Sequence, residues 1–89
     1  MATRFTSMLS EDASAAWSPA GESILQLDAQ DPNAQVEILA RVSNTAAWHR
    51  VGLLVSNREH FVRLPKFPFL QVAIVRNTED MTITVTDDQ

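Results

Sequence analysis

Few side chains of this 89-residue chain are of the types that carry enzyme chemistry. His49 and His60 are its only histidines, and Glu37 and Glu59 are the conceivable further ligands for a metal ion. Protein metal sites normally show a denser spacing of His, Cys, Asp and Glu. The sequence therefore predicts no bound metal.

The chain also lacks the sequence motifs of covalent catalysis and of phosphate binding. A serine or threonine nucleophile needs a base and an orienting acid, and the chain contains no G-x-S-x-G elbow. Gly21 and Gly52 are the only glycines, so no glycine-rich loop can hold a phosphate. We expect a protein with no catalytic residues, no cofactor and no enzyme activity.

The charged residues are unevenly distributed along the chain. The net charge is −4 in total, with −5 on residues 1–40, +5 on residues 41–76 and −4 on residues 77–89. Two arrangements fit this pattern: neighbouring strands pair opposite charges at the surface, or the molecule has one basic and one acidic face suited to packing against a neighbour. The acidic total and the lack of a Lys/Arg cluster argue against a nucleic-acid partner.

Length and composition indicate one small domain. Hydrophobic residues make up 45% of the chain, which is enough for a single core, and cysteine is absent. The N-terminal residues lack the apolar run of a signal peptide, and no stretch approaches the ~18 apolar residues of a membrane span. We expect a protein made in the cytoplasm with no membrane partner.

Alternation of apolar and polar residues predicts β-strands over most of the chain after residue 22. The alternation is clearest in AQVEILARV and MTITVT, and it also marks SILQLDA, WHRVGLLVS and the wholly apolar LQVAIV. The inward residues predicted for the two clearest strands are Val36, Ile38, Ala40, Val42, Met81, Ile83 and Val85. In WHRVGLLVS, the pattern puts Val51, Leu53 and Val55 on the face opposite Trp48 and Leu54.

Turn-forming residues separate these strands at intervals of roughly eight to twelve residues, which is typical of all-β sandwiches and barrels. The sequence predicts a small antiparallel β-sandwich or jelly-roll-like domain of six to eight strands in residues 17–89. Residues 1–16 are predicted to form an N-terminal arm. Phe5, Met8 and Leu9 have helical spacing there, and Ser10 could cap a short helix.

The aromatic residues have two interpretations. Trp17 and Trp48 could each close one end of the sandwich core. Alternatively, exposed rings could form the flat platform of a small carbohydrate-binding module. The second interpretation requires two or three rings on one face.

The segment FVRLPKFPFLQVAIV, residues 61–75, contains two prolines that cannot donate to a β-ladder. Pro65 and Pro68 must therefore lie at an edge or in a connection between strands. Phe67, between them, either seals the end of the sandwich or is exposed as a docking residue.

The order of these segments resembles a family of short β-rich proteins encoded among the structural genes of tailed bacteriophages. The resemblance covers residues 17–86 and is carried by AWSPAGESILQLDA, AQVEILARVS, AWHRVGLLVSN, FVRLPKFPFLQVAIVRN and MTITVT. It implies a virion component, foremost a decoration (cement) protein that stabilises the capsid. The implied partners are the major capsid protein, other virion proteins and further copies of the chain. A neck or tail adaptor, or another partner-binding module, is the alternative.

A protein interface of this kind needs an apolar centre and a charged rim. We expect Phe67 and Phe69 to form the centre, and Arg58, Arg63 and Lys66 to form a basic rim. The rim would meet an acidic neighbour, such as residues Glu11 and Asp12 of the next copy.

Overall fold

A computed structural model describes residues 2–7, 12–77 and 82–88 of the chain. Within these ranges the chain forms strands and no helix. The strands, in chain order, are β1 (Ala2–Ser7), β2 (Ser23–Ala29), β3 (Gln35–Arg41), β4 (His49–Val55), β5 (Phe61–Leu64), β6 (Phe69–Arg76) and β7 (Ile83–Asp87).

The strands form two antiparallel sheets that pack face to face. The larger sheet has the order β1-β7-β2-β5, and the smaller has the order β4-β3-β6. The prediction of an antiparallel β-sandwich is therefore confirmed. The prediction allowed a plain sandwich or a jelly roll. The described residues form a plain sandwich, because a jelly roll has eight strands and the two sheets here have four and three.

The core lies between the sheets and is supplied mainly by the inner faces of β2, β3, β6 and β7. Its fully buried side chains include Leu25, Ile38, Leu54, Leu70, Val72, Ile83 and Val85. The alternation predicted for β3 is correct as far as Ala40. It is wrong for Val42, which lies beyond the end of the strand and is 76% exposed. Met81 lies outside the described residues.

Strand β4 departs from simple alternation because a bulge interrupts its pairing with β3. Ile38 is opposite Gly52, whereas Leu39 is opposite Arg50, so Val51 is the extra residue. Leu54 is fully buried, and Gly52 also faces inward, towards Ile38 and Val62. The sequence therefore correctly predicted that Leu54 lies on the face opposite Leu53 and Val55. It did not predict the bulge at Val51.

The N-terminal segment is part of the sandwich, which corrects the prediction of an arm over residues 1–16. Strand β1 pairs with β7, and Phe5 belongs to the buried core with 7% exposure. Residues 12–17 then run along the outer edge of β6 and satisfy its backbone groups, as in the bond from the Ser14 N–H to the Val72 carbonyl at 2.8 Å. The predicted cap Ser10, with Met8 and Leu9, lies outside the described residues.

Two ion pairs join neighbouring strands. Arg50 on β4 contacts Glu37 on β3 at 3.0 Å, and Arg4 on β1 contacts the buried Asp87 on β7 at 3.3 Å. The Arg50–Glu37 pair joins the basic middle segment to the acidic first segment, as the first of the two charge arrangements considered above predicts. The Arg4–Asp87 pair joins two segments that are both net negative.

Candidate interaction site

An open apolar groove lies at one end of the sandwich, between the β3–β4 loop (residues 42–48) and the β5–β6 connection (residues 65–68). We call it the Phe67 groove. Its volume is about 310 Å³, and it is lined by Ala40, Arg41, Val42, Ala46, Ala47, His49, Val51 and Phe67.

The local sequence explains both walls of the groove. Pro65 and Pro68 lack the N–H that a β-ladder requires, so the chain leaves the larger sheet after β5 and enters the smaller one at β6. Phe67 projects from this crossing. On the other wall the Ala46 N–H donates to the Ser43 carbonyl at 3.3 Å, which closes a turn in the β3–β4 loop.

Phe67 is neither fully buried nor fully exposed. Its ring is partly buried and packs against the core, yet it also lines the groove. Val42 and Val51 on the same groove are 76% and 37% exposed. The groove therefore keeps apolar surface in contact with solvent, which is the property expected of a contact surface.

A cation lies beside the groove. The Arg41 guanidinium carbon is 4.2 Å from the centre of the Trp48 ring and 5.7 Å from that of Phe69. Cations are attracted to aromatic faces at such distances. The Arg41 Nε is buried and has no hydrogen-bond partner among the described residues, so its observed contacts are with the two rings.

The expected apolar centre of Phe67 and Phe69 is not formed. Phe69 is paired with Arg41 across strands β3 and β6, on the outer face of the smaller sheet, and it does not line the groove. The physical reason is that β6 begins at Phe69, so only this ring follows strand alternation. Phe67 belongs to the preceding connection.

The three predicted rim cations lie in three different places. Lys66 is exposed next to Phe67, in a depression shared with Ser18, Pro19 and Pro68. Arg63 is exposed on β5 in the larger sheet, opposite Ile24. Arg58 lies in a cleft with Gln35, at the far end of β3 from Arg41. Since β3 rises about 3.4 Å per residue, those ends are about 20 Å apart.

The predicted acidic contact is only partly described. The Asp12 carboxylate accepts hydrogen bonds from the Ser7 hydroxyl and from the Ala13 N–H, both at 2.8 Å. These bonds connect Asp12 to the last residue of β1 and to its own neighbour in the chain, which gives Asp12 a structural role within its own chain. Glu11 lies outside the described residues.

The tryptophans do not form a platform. Trp17 packs against the core, as predicted for a ring that closes the sandwich, with Arg4 5.2 Å from its ring centre. Trp48 is instead stacked on Arg41. Phe61 is the one aromatic side chain in the described ranges that counts as exposed, at 60%, so the flat face of several rings that sugar binding would require is not formed there.

Sequence reasoning missed two features. It did not identify Val42 and Val51 as exposed groove residues, because strand ends and bulges are not encoded in the alternation. It also did not bring together Arg58 and Arg76, which line the same cleft from distant positions in the chain. Only the pairing of β6, β3 and β4 makes them neighbours.

No group of three or more His, Cys, Asp or Glu residues in the described ranges is arranged to hold a metal ion. A search of the same ranges for a helix long and apolar enough to cross a membrane found none. No protein-family model, curated protein or solved structure matches this chain.

Proposed function

We propose that this chain is a non-enzymatic structural protein that works by binding other protein subunits. The assembly we propose for it is the particle of a tailed bacteriophage, where it acts as a capsid decoration protein. The phage setting is what the resemblance of the sequence to short β-rich proteins of tailed bacteriophages implies. The binding role is supported by the Phe67 groove.

The observation that carries the proposal is the exposed apolar surface of this groove. Protein interfaces draw most of their binding energy from a few large apolar residues at the centre of a contact. Phe67 supplies such a ring on a connection constrained by two prolines, and Val42 adds a neighbouring side chain that is 76% exposed. Little ordering is needed before the groove can bind.

The charges around the groove suggest the chemistry of the partner. Arg41 lines the groove, Lys66 is exposed beside Phe67, and no carboxylate lines the groove in the described residues. We expect the partner to insert an apolar side chain flanked by acidic groups, because complementary charge sets the orientation and the rate of docking.

The first test is the presence of the protein in particles. Mass spectrometry of purified particles of the phage that encodes the chain should detect it in many copies per capsid. Absence from the particle, or a copy number too low to cover the shell, contradicts the decoration role. A low copy number would point to the neck or tail.

The second test is a pair of matched substitutions. Val42→Asp places a charge in the groove at an exposed position, so we expect particle binding to fall at least tenfold with the melting temperature almost unchanged. Phe61→Asp is the control, because Phe61 is 60% exposed on the other sheet. Intact binding of the Val42 variant, or equal loss in both variants, contradicts the proposal.

Phe67→Ala gives a complementary measurement. Because the ring also packs against the core, we expect a loss of roughly 1–2 kcal/mol of folding stability together with a loss of binding. Binding and melting temperature must therefore be measured on the same preparation. If binding survives at a temperature where the variant is folded, Phe67 only seals the sandwich.

A further inference from the structure

A second surface depression, which we call the arginine cleft, lies on the smaller sheet at the end opposite the Phe67 groove. Its volume is about 310 Å³. It is lined by Asn33, Gln35, Leu53, Val55, Asn57, Arg58 and Arg76.

The sheet register builds the centre of this cleft. Gln35 on β3 is paired with Arg76 on β6 and with Val55 on β4. These three residues therefore form one row across the sheet, with neighbouring strands about 4.8 Å apart. Leu53 lies two residues before Val55 on β4 and extends the apolar part of the surface.

Two turns complete the cleft. The Arg58 N–H donates to the Val55 carbonyl at 3.1 Å, and the Ser56 N–H donates to the Ala34 carbonyl at 3.0 Å. These bonds hold the turn that carries Arg58 against the turn before β3. In that second turn the Asn33 N–H donates to the Asp31 carboxylate at 2.8 Å. The backbone that presents the polar side chains is thus fixed before any ligand binds.

The two cations of the cleft have no acidic partner among the described residues. Neither Arg58 nor Arg76 forms an ion pair with any residue in the described ranges. Glu37, the acid on the adjacent part of β3, is held by Arg50 through two contacts of 3.0 and 3.1 Å. The lining itself contains no carboxylate among the residues that the structure describes.

We propose that the arginine cleft binds a carboxylate carried on an apolar body. The guanidinium groups of Arg58 and Arg76 supply paired N–H donors that match the two oxygens of a carboxylate. The amides of Asn33, Gln35 and Asn57 supply further donors around it. Leu53 and Val55 provide the apolar strip against which the body of the ligand packs.

The apolar strip distinguishes this ligand class from a bare inorganic anion. Phosphate would satisfy the arginines but would leave Leu53 and Val55 in water, whereas a short aliphatic acid removes apolar area as well. A glutamate side chain in a protein segment and a free dicarboxylic acid both have this chemistry. The size of the cleft is at the lower end of the range for small-ligand sites.

The test is a titration of the whole protein followed by NMR chemical shifts of the backbone amides. The probes are sodium glutarate, a terminally blocked peptide that alternates glutamate and leucine, and inorganic phosphate. We expect saturable shifts at Gln35, Asn57 and Arg76 with the first two probes. We expect weaker binding of phosphate, and weaker binding of all probes at high salt.

Substitutions establish whether the cleft is the site. Arg58→Gln and Arg76→Gln should each weaken glutarate binding about tenfold. Arg63→Gln is the matched control, because Arg63 is exposed on the other sheet and has no ion pair in the described residues. All three positions are exposed, so the fold should tolerate each change.

Each outcome has a defined meaning. Stronger binding of the peptide than of glutarate supports a protein segment as the natural ligand, and equal binding supports a small acid. The proposal is overturned if phosphate binds as tightly as glutarate, if Arg63→Gln weakens binding as much as the other two, or if no shift saturates. The Val42→Asp variant should bind glutarate normally, which separates this site from the Phe67 groove.

Discussion

A single cation, Arg41, connects the end of a strand to the loop that follows it. Its guanidinium lies over Trp48, seven residues further along the chain, and near Phe69 on the neighbouring strand. This contact lies at one wall of the Phe67 groove, and the Arg41 Nε donates no hydrogen bond to any described residue. A lysine would keep the charge but not the planar stacking, since only a guanidinium can stack on a ring.

In the middle of the larger sheet, Asp88 extends the pairing of β7 with β2. Its carboxylate accepts a hydrogen bond from the Ile24 N–H at 2.9 Å, and its own N–H donates to the Ile24 carbonyl at 3.2 Å. The bond from Ile24 stabilises the charged form and lowers the pKa of Asp88 below its usual value of 3.8, with a smaller contribution from Asp87.

This pKa shift predicts a pH-dependent contribution to stability. Because the pKa is lower in the folded state than in the unfolded state, the contribution is complete at neutral pH and is lost as the pH falls below 3.8 through the folded pKa. Asp88→Asn should therefore lower the melting temperature at pH 7, and the difference from the unmodified protein should shrink in acid.

Thermal melts at several pH values between 7 and 2 measure this difference directly. Asp28→Asn is the control, because Asp28 is exposed on β2 and its side chain makes no hydrogen bond within the described residues. A constant gap at all pH values would mean that Asp88 acts through its shape and not through its charge.

Phe67 and Phe69 show which side-chain positions could be predicted from the sequence and which could not. Two aromatic residues so close in the chain invited a shared role, and the two prolines correctly indicated a break in the sheet. The break also means that alternation begins only at Phe69. A pattern of residue types does not contain the direction of a side chain in a connection, because that direction depends on where the chain crosses between sheets.

At the scale of elements, strand β4 combines a bulge with a glycine that faces the core. A Cβ atom on Gly52 would lie 3.2 Å from the Cδ1 of Ile38 and 3.3 Å from the Cγ1 of Val62. Such contacts are closer than ordinary van der Waals packing. The absence of a side chain at Gly52 therefore leaves room beside β4 for the side chains of Ile38 on β3 and Val62 on β5.

Substitution of Gly52 should destabilise the protein in proportion to the size of the new side chain. We expect Gly52→Ala to cost about 1 kcal/mol and Gly52→Val to cost about 3 kcal/mol, because added volume in a packed core forces its neighbours apart. Urea denaturation measures both values. Val75→Ala, at a side chain that is 43% exposed, should change stability by less than about 0.5 kcal/mol.

A double substitution tests the steric cause. Ile38→Val removes the Cδ1 atom that is nearest to the added Cβ. Ile38→Val alone should cost about 1 kcal/mol, and in combination with Gly52→Ala the total should be smaller than the sum of the two. Simple additivity would show that the cost at Gly52 does not come from this contact.

Strands were the elements that the sequence predicted best, and β3 illustrates why. Each of its inward residues from Val36 to Ala40 alternates with an outward one, because the extra residue of its bulge with β4 lies on β4 and leaves the alternation of β3 unbroken. Strand β4 has only one paired neighbour in its sheet. Its bulge could not be predicted, since an extra residue is defined by the partner strand.

At the scale of the whole molecule, the larger error of sequence reasoning was to place residues 1–16 outside the domain. Their composition gives little alternation, and helical spacing appeared over a short stretch. Strand β1 is nevertheless stabilised by contacts distant in sequence, such as the pairing of Phe5 with Val85 and of Thr3 with Thr86. Pairing between the two ends of a chain leaves no local signal.

Strand β1, near the start of the chain, thus pairs with β7, near its end, in the larger sheet. This pairing predicts the effect of truncation. Removal of residues 1–16 would delete β1 and the buried Phe5, break the contact of Arg4 with the fully buried Asp87, and uncover the edge of β6. Loss of a buried phenylalanine alone commonly costs about 3–5 kcal/mol. A domain of this size has a total stability of only about 5–10 kcal/mol, so the truncated chain should not fold cooperatively at 25 °C.

Circular dichroism melts of three proteins test this prediction. The truncated chain should show no cooperative transition, and Phe5→Ala should show a transition lowered by at least about 12 °C, since 1 kcal/mol corresponds to roughly 4–8 °C in a domain of this size. Thr6→Ala, at an exposed position on the same strand, should melt within about 4 °C of the unmodified protein. A truncated chain that keeps the original melting temperature would show that residues 1–16 are an arm after all, free to bind a neighbouring subunit.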